Sequence, residues 1–232
     1  MKIGIFGDSF ADPTQMNHTP TWSSILSEKH EVDNYAIMGS NLYYSASLIL
    51  KTFQRYEKVI LVATRPGRLM IPEYYTVPVQ RKRFIAGIGT IPDLESDIKP
   101  NESYLNKFYQ AARQYLTLLQ DLNYEKYIHS LMLKDLSSKI SNLILIPAFK
   151  DSGAPESINS MFDIYLKECK AWGETMQSAR LYKDIRNCHM TAENNAIFAD
   201  KVEEWINGAP VYINVDDFVA PANKEFYLLN NE

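Results

Sequence analysis

Apolar residues recur along this chain in short unbroken runs separated by longer stretches of helical period, the alternation that builds a parallel sheet covered on both faces. Lys2-Ile-Gly-Ile-Phe6 is the first run and ends in the turn signal Gly7-Asp8. Glu31 to Tyr35 reads as a second strand. Lys58-Val-Ile-Leu-Val-Ala63, half β-branched, is the third, and Asn142-Leu-Ile-Leu-Ile-Pro147 the fourth. Thr21 to Leu26 reads as an amphipathic helix between the first two runs. Between the last two, Leu105, Phe108, Ala112, Tyr115 and Leu119 keep a three- and four-residue spacing within Ser103 to Ile140, which has no Pro or Gly. That pattern predicts one long helix or a helical hairpin. Ser157 to Arg180 and Thr191 to Trp205 are predicted helices, and Val211-Tyr-Ile-Asn-Val215 a short strand. Leu69 to Asn101 has no such period and carries four prolines, two glycines and the basic run Arg81-Lys82-Arg83. A stretch of this kind in a compact domain is read as a functional loop or insertion.

Composition narrows the class. The 232 residues carry 24 Lys+Arg against 28 Asp+Glu, a net charge of −4, which gives no general electrostatic attraction to nucleic acid or an anionic membrane. Hydrophobic residues at 46% and charged residues at 22% are ordinary for a globular domain and exclude disorder and collagen. No apolar segment approaches the roughly 18 residues of a membrane-spanning helix. Ile3 to Phe6 is too short for a signal peptide, so a soluble, cytoplasmic protein is expected. Cys169 and Cys188 are too few for a disulfide framework. Tyrosine is abundant, at 15 residues.

The residues most suggestive of chemistry are Gly7-Asp8-Ser9-Phe10, directly after the first run. A serine on a sharp strand-to-helix turn presents its hydroxyl at the carboxyl edge of the sheet, beside N–H groups able to hold a negative oxygen. Read alone, the same four residues also fit a tight turn in which Ser9 caps a helix. His189 stands just before the helix predicted from Thr191. Serine is a poor nucleophile at neutral pH, and a histidine within hydrogen-bond reach removes its proton as attack occurs. His18, His30 and His129 read as surface residues.

These residues resemble the SGNH, or GDSL-type, hydrolase family. In that family a Gly-Asp-Ser block after the first strand supplies the nucleophile, here Ser9. A second block after the second strand supplies an oxyanion-hole glycine, and Asn34-Tyr-Ala-Ile-Met-Gly39-Ser40 looks like it, so Gly39 inherits that role beside the Ser9 amide. The closing block is a histidine before a Thr/Ser-rich helix start and an Asn, as in Cys188-His189-Met-Thr191-Ala-Glu-Asn194. The resemblance implies a flavodoxin-like three-layer α/β/α sandwich around a central parallel sheet. The expected organisation is a hydrolase domain over residues 1–207, a lid-like insertion at about 69–101, and a C-terminal extension over 208–232.

Two blocks depart from the pattern. The family's third block, Gly-x-Asn-Asp, donates an oxyanion hydrogen bond from its Asn, whereas this chain reads Ala63-Thr64-Arg65-Pro66-Gly67-Arg68. Arg65 or Arg68 could stabilise the developing charge instead; an arginine paired with a surface carboxylate is the alternative. The family's Asp three residues before its histidine is replaced by Arg186. Asp184 could then orient His189, or a backbone acceptor could do so. The implied function is a serine esterase acting on an acyl ester, O-acetyl on a carbohydrate, with no metal or organic cofactor and a small-molecule or glycan substrate. Asp8, Arg68, Tyr74 and Tyr75 are the candidate substrate contacts, the tyrosines because aromatic faces suit sugar rings. The competing expectations are a binding module that has lost catalysis, and an acyltransferase using the same serine. Asp93-Leu-Glu95-Ser-Asp97 lacks the glycine and closing glutamate of a calcium loop, and no dinucleotide or phosphate-loop motif is present. Cys188 reads as packing.

Overall fold

The computed structural model describes residues 1–15, 20–68, 110–111, 114–153, 159–171 and 190–219. The four expected strands form as β1 (Lys2–Phe6), β2 (Glu31–Asn34), β3 (Lys58–Ala63) and β4 (Leu143–Pro147). They pair in parallel in the order β2-β1-β3-β4. Ile5 lies opposite Asn34 on one side and Ile60 on the other, and Ile60 lies opposite Ile144. The helices are α1 (Trp22–Ser27), α2 (Leu42–Thr52), α3 (Leu122–Lys139), α4 (Met161–Ala171) and α5 (Ala192–Ile206).

Strand side chains alternate between two faces, and each face has its own core. Ile3, Ile5, Ile60, Val62, Ile144 and Ile146 pack against Trp22 and Leu26 of α1, Met161 and Ile164 of α4, and Phe198 and Val202 of α5. Phe6, Val59, Leu61 and Ala63 pack against Ala46 and Ile49 of α2 and Leu133 and Leu136 of α3. The fold is therefore a three-layer α/β/α sandwich. On the second face Gly4 leaves room for Tyr56, whose ring atoms would stand 2.7 Å from a Cβ there.

The topology locates the functional edge. From β1 the chain passes through α1 to β2 on one side, then returns through α2, on the opposite face, to β3 on the other side. Strand order reverses between β1 and β3, and in open α/β sheets the crevice at the carboxyl ends of two such strands is where ligands bind. The loops that begin at Gly7 and Thr64 flank that crevice.

Three elements differ from expectation. α2 was not announced by a distinct apolar pattern; Asn41 starts it, its side chain accepting from the Tyr44 N–H at 2.9 Å. The described part of Ser103 to Ile140 is not one continuous helix, the first of the two expected forms. Tyr115–Leu119 is a π-helical turn, Gln120 is extended, and Asp121 caps α3 by accepting from the Asn123 and Tyr124 N–H groups. Val211 to Val215 is not a strand: the chain runs irregularly to a 3-10 turn at Val215–Asp217. Its carbonyls are taken by turn N–H groups and by residues of and before α4 instead. Asn159 donates to Ile213 O, and Lys167 Nζ donates to the carbonyls of Val215 and Phe218. Ile213 and Phe218 are nevertheless buried in the first-face core, so residues 208–219, the described part of the expected extension, complete the domain. Among the described residues no helix is long and apolar enough to cross a membrane.

Candidate active site

The loop after β1 leaves the strand at Gly7, whose φ of 152° and contact with β3 exclude a side chain: a Cβ would lie 2.8 Å from both Val62 Cβ and Val62 O. Asp8 is completely buried, and its Oδ1 accepts from the Phe10 N–H at 3.1 Å. The Asp8 carbonyl accepts from the N–H groups of Ala11 and Asp12, at 3.0 and 3.1 Å. Ser9 is thus held on a tight turn, half-buried at the carboxyl edge.

The loop after β2 folds against this turn. Asn34 Nδ2 donates to Ala11 O at 2.8 Å, and the Met38 N–H donates to Asp12 Oδ2 at 3.2 Å. The Gly7 carbonyl receives both the Ile37 N–H, at 3.1 Å, and Ser40 Oγ, at 2.7 Å. Gly39 lies between those two donors with φ 75°, a left-handed conformation that glycine adopts without strain. Among the described residues, none hydrogen-bonds the Ser9 hydroxyl, the Ser9 N–H or the Gly39 N–H. A half-buried hydroxyl and two unpaired N–H groups therefore occupy adjoining loops on one edge.

The loop after β3 carries the two arginines. The guanidinium centres of Arg65 and Arg68 each lie 5.6 Å from the Phe149 ring centroid, within cation–π range. Arg68 is 10% exposed along its side chain and pairs with the fully buried Asp8, Nη1 to Oδ2, at 3.0 Å. The same nitrogen donates to Ser40 O at 3.0 Å. Asp8 and Arg68, both expected at the substrate, are thus bonded to each other. Beyond this loop a cleft of about 300 Å³ opens between α2 and α3, its walls including Asn41, Tyr43, Arg65, Tyr124, Glu125 and His129. Tyr43 and Tyr124 are more than half exposed there. Burial raises the pKa of Tyr115 in the same wall above the ordinary phenol value, and Glu125, which accepts its hydroxyl proton at 3.2 Å, adds to the shift.

His189, Asp184, Tyr74 and Tyr75 lie outside the described residues, as do His18, Cys188 and Arg81 to Arg83. The residue after His189, Met190, is buried in the first-face core and leads into an anchor at the start of α5. Thr191 caps α5, its side chain accepting from the Asn194 N–H. The fully buried Glu168 of α4 accepts through Oε1 from the Thr191 N–H and Oγ1, each at 3.0 Å, and from Asn194 Nδ2. Three hydrogen bonds link this anchor to the serine loop. Trp22 Nε1 donates to Phe10 O at 2.7 Å, the Trp22 N–H donates to Asn195 Oδ1 at 2.9 Å, and Asn195 Nδ2 donates to Met190 O at 3.0 Å. The chain neighbours of Ser9 and His189 are tied to one another.

Trp22, Asn195, Glu168 and the Asp8–Arg68 pair were not singled out by sequence. The surface reading of His129 is corrected: it is 6% exposed, with Nε2 3.3 Å from Ser152 O. His30 is partly buried against Glu203 at 2.8 Å. Burial alone would raise the Glu203 pKa, but His30, Asn207 and Lys29 together outweigh it and hold the carboxyl below its usual value. Among the described residues no group of three or more His, Cys, Asp and Glu stands close enough to hold a metal ion. Searches against protein-family models and curated proteins returned no match to this chain.

Proposed function

We propose that the protein is a serine esterase of the SGNH type, cleaving an acyl ester, O-acetyl on a carbohydrate. The observation that carries this reading is the three-bond link from Phe10 through Trp22 and Asn195 to Met190, which joins the neighbours of the expected nucleophile and base at the switch-point edge. The unpaired N–H groups of Ser9 and Gly39 supply the donors an oxyanion requires. In this mechanism Ser9 Oγ attacks the ester carbonyl while His189 takes its proton. The carbonyl π electrons move onto the oxygen, which the two N–H groups stabilise. Collapse of the adduct expels the alcohol, protonated by His189, and leaves an acyl-serine. A water molecule, deprotonated by His189, then releases the acid and restores Ser9. Asp184 or a backbone acceptor orients the imidazole, and Arg65 is the candidate third donor. The neighbouring cleft, with Tyr43 and Tyr124 at its mouth, is suited to the alcohol portion of the ester.

The replacement of the family's Asn by Arg65 and of its Asp by Arg186 favours one rival, a binding module without turnover. A fluorophosphonate probe followed by mass spectrometry separates the two. Esterase chemistry predicts a single adduct on Ser9, and a Ser9→Ala variant whose turnover of a small aryl acetate falls by roughly 10³-fold or more. Folded protein that takes up no label on Ser9 defeats the proposal. If an added alcohol acceptor captures the acyl group faster than water does, the acyltransferase reading replaces hydrolysis.

A further inference from the structure

Arg68 lies in the third loop, yet its hydrogen bonds run to the other two. Nη1 donates to Asp8 Oδ2 and to Ser40 O, each at 3.0 Å, which occupies both hydrogens of that nitrogen. The Arg68 carbonyl accepts from Asn41 Nδ2 at 3.4 Å, a longer contact. Asp8 immediately precedes Ser9, and Ser40 immediately follows Gly39. One guanidinium nitrogen therefore bridges the residues adjacent to the two proposed oxyanion donors, from a site with little solvent to screen it.

The planar guanidinium is well matched to this task. Its N–H directions are fixed relative to one another, so satisfying a carboxylate and a carbonyl with the two hydrogens of one nitrogen constrains the angle between the loops as well as their separation. Stacking against Phe149, a residue that follows β4, restricts the guanidinium from a further direction. Asp8 Oδ1 meanwhile holds the Phe10 N–H, so the carboxylate fixes the serine turn with one oxygen and meets Arg68 with the other.

We infer that Arg68 is a positioning residue: acting through Asp8 and Ser40, it sets the relative placement of Ser9 and Gly39, and so the geometry of the oxyanion hole. With Nη1 committed to Asp8 and Ser40, Arg68 belongs to the scaffold beneath the two proposed donors. This inference rests on the esterase reading for its effect on rate, but the clamp itself can be tested without activity. Displacing a catalytic group by about 1 Å can cost on the order of 10²-fold in rate, so kcat is the sensitive quantity and KM is not.

The direct variant, Arg68→Met, leaves a buried carboxylate unpaired and is prone to misfold. The informative variants are therefore the neutral double substitution Asp8→Asn with Arg68→Met, and the conservative Arg68→Lys. On a small aryl acetate the double variant is expected to lose 10- to 100-fold in kcat, as an order of magnitude, with KM within about twofold of wild type. Arg68→Lys should recover part of that loss, because an ammonium can meet Asp8 without reproducing the planar geometry. Hydrogen exchange read by mass spectrometry should show faster exchange in peptides spanning residues 7–12 and 36–41 of the folded double variant, with the β3 and β4 peptides unchanged. A folded double variant with wild-type kcat overturns the positioning role, and unchanged exchange in both loops overturns the clamp. Wild-type protein that neither turns over nor labels at Ser9 counts against the esterase reading, and the exchange comparison still decides the clamp.

Discussion

At the scale of single residues, the buried side chains carry the clearest consequences. His129 has little solvent around it, and burial lowers its pKa below the ordinary histidine value, outweighing the Ser152 carbonyl and Asp151, which both favour the cation. Between the lowered native value and the unfolded value near 6.5, the unfolded chain binds more protons than the native one, so stability rises with pH across that window. The contribution is complete above about pH 6.5 and is lost as pH falls through the native value. Urea midpoints should therefore be lower near pH 5 than near pH 7.5, and His129→Gln, which does not titrate, should shrink the difference. An unchanged pH dependence in that variant would assign the effect to other groups. Sequence gave no hint of this burial, because His129 sits in a helix whose exposed neighbours, Tyr127 and Leu131 among them, do not mark which face is inward. The Asp8–Arg68 pair was equally hidden, since its partners are 60 residues apart and no local pattern relates them.

Elements follow a different rule: where the backbone pairs with itself, the sequence announced it. β1, β3 and β4 coincide with apolar runs because both of their faces are covered, whereas β2, Glu-Val-Asp-Asn at the end of the strand order, is exposed to half-buried and carries polar residues. Val211 to Val215 imitates that signal. Val211, Ile213 and Val215 do turn toward the core, but Asn159 and Lys167 take carbonyls of the segment, so burial periodicity arises without a ladder. α2 failed for the opposite reason, since Tyr and Ser fill its polar positions and blur its apolar stripe of Leu42, Ala46 and Ile49. At the site, the serine turn and the Gly39 loop were legible as short motifs, whereas the supports beneath them come from distant side chains. Glu168 is the clearest support. Replacing it with Ala strands two buried donors, the Thr191 N–H and Oγ1, and leaves Asn194 Nδ2 with only its bond to Val219 O, at about 1–3 kcal/mol for an unsatisfied group, with part of that recovered by relaxation. Glu168→Ala should lose about 2–4 kcal/mol in urea unfolding and lower turnover by loosening the start of α5. Glu168→Gln, which keeps one acceptor oxygen, should lose less than Glu168→Ala. Equal losses in the two variants would show that side-chain volume, rather than acceptance of these bonds, is what matters.

The whole molecule joins its two ends at the functional edge. α1 and α5 lie side by side in the same direction: Trp22 meets Asn195 at their starts, and His30 meets Glu203 near their ends. That arrangement brings the end of a long chain back to its first loop, a closure no local signal encodes. Residues 208–219 secure it from outside. Asn194 Nδ2 donates to Val219 O at 2.9 Å and Asn194 Oδ1 accepts from the Val219 N–H at 3.0 Å, while Ile213 and Phe218 fill the first-face core. Full burial of such side chains contributes about 1.5–3 kcal/mol each. Losing both would remove about 3–6 kcal/mol from a domain whose total stability is on the order of 5–15 kcal/mol. Chain ending at residue 207 should therefore unfold at a markedly lower urea concentration and bind a hydrophobic dye in the absence of denaturant. Because Asn194 belongs to the anchor beside Met190, the proposed esterase turnover should fall before the fold is lost. A 207-residue chain with the full-length unfolding midpoint and rate would reduce the segment to an appendage, and would place the closure of the fold entirely in the contact between α1 and α5.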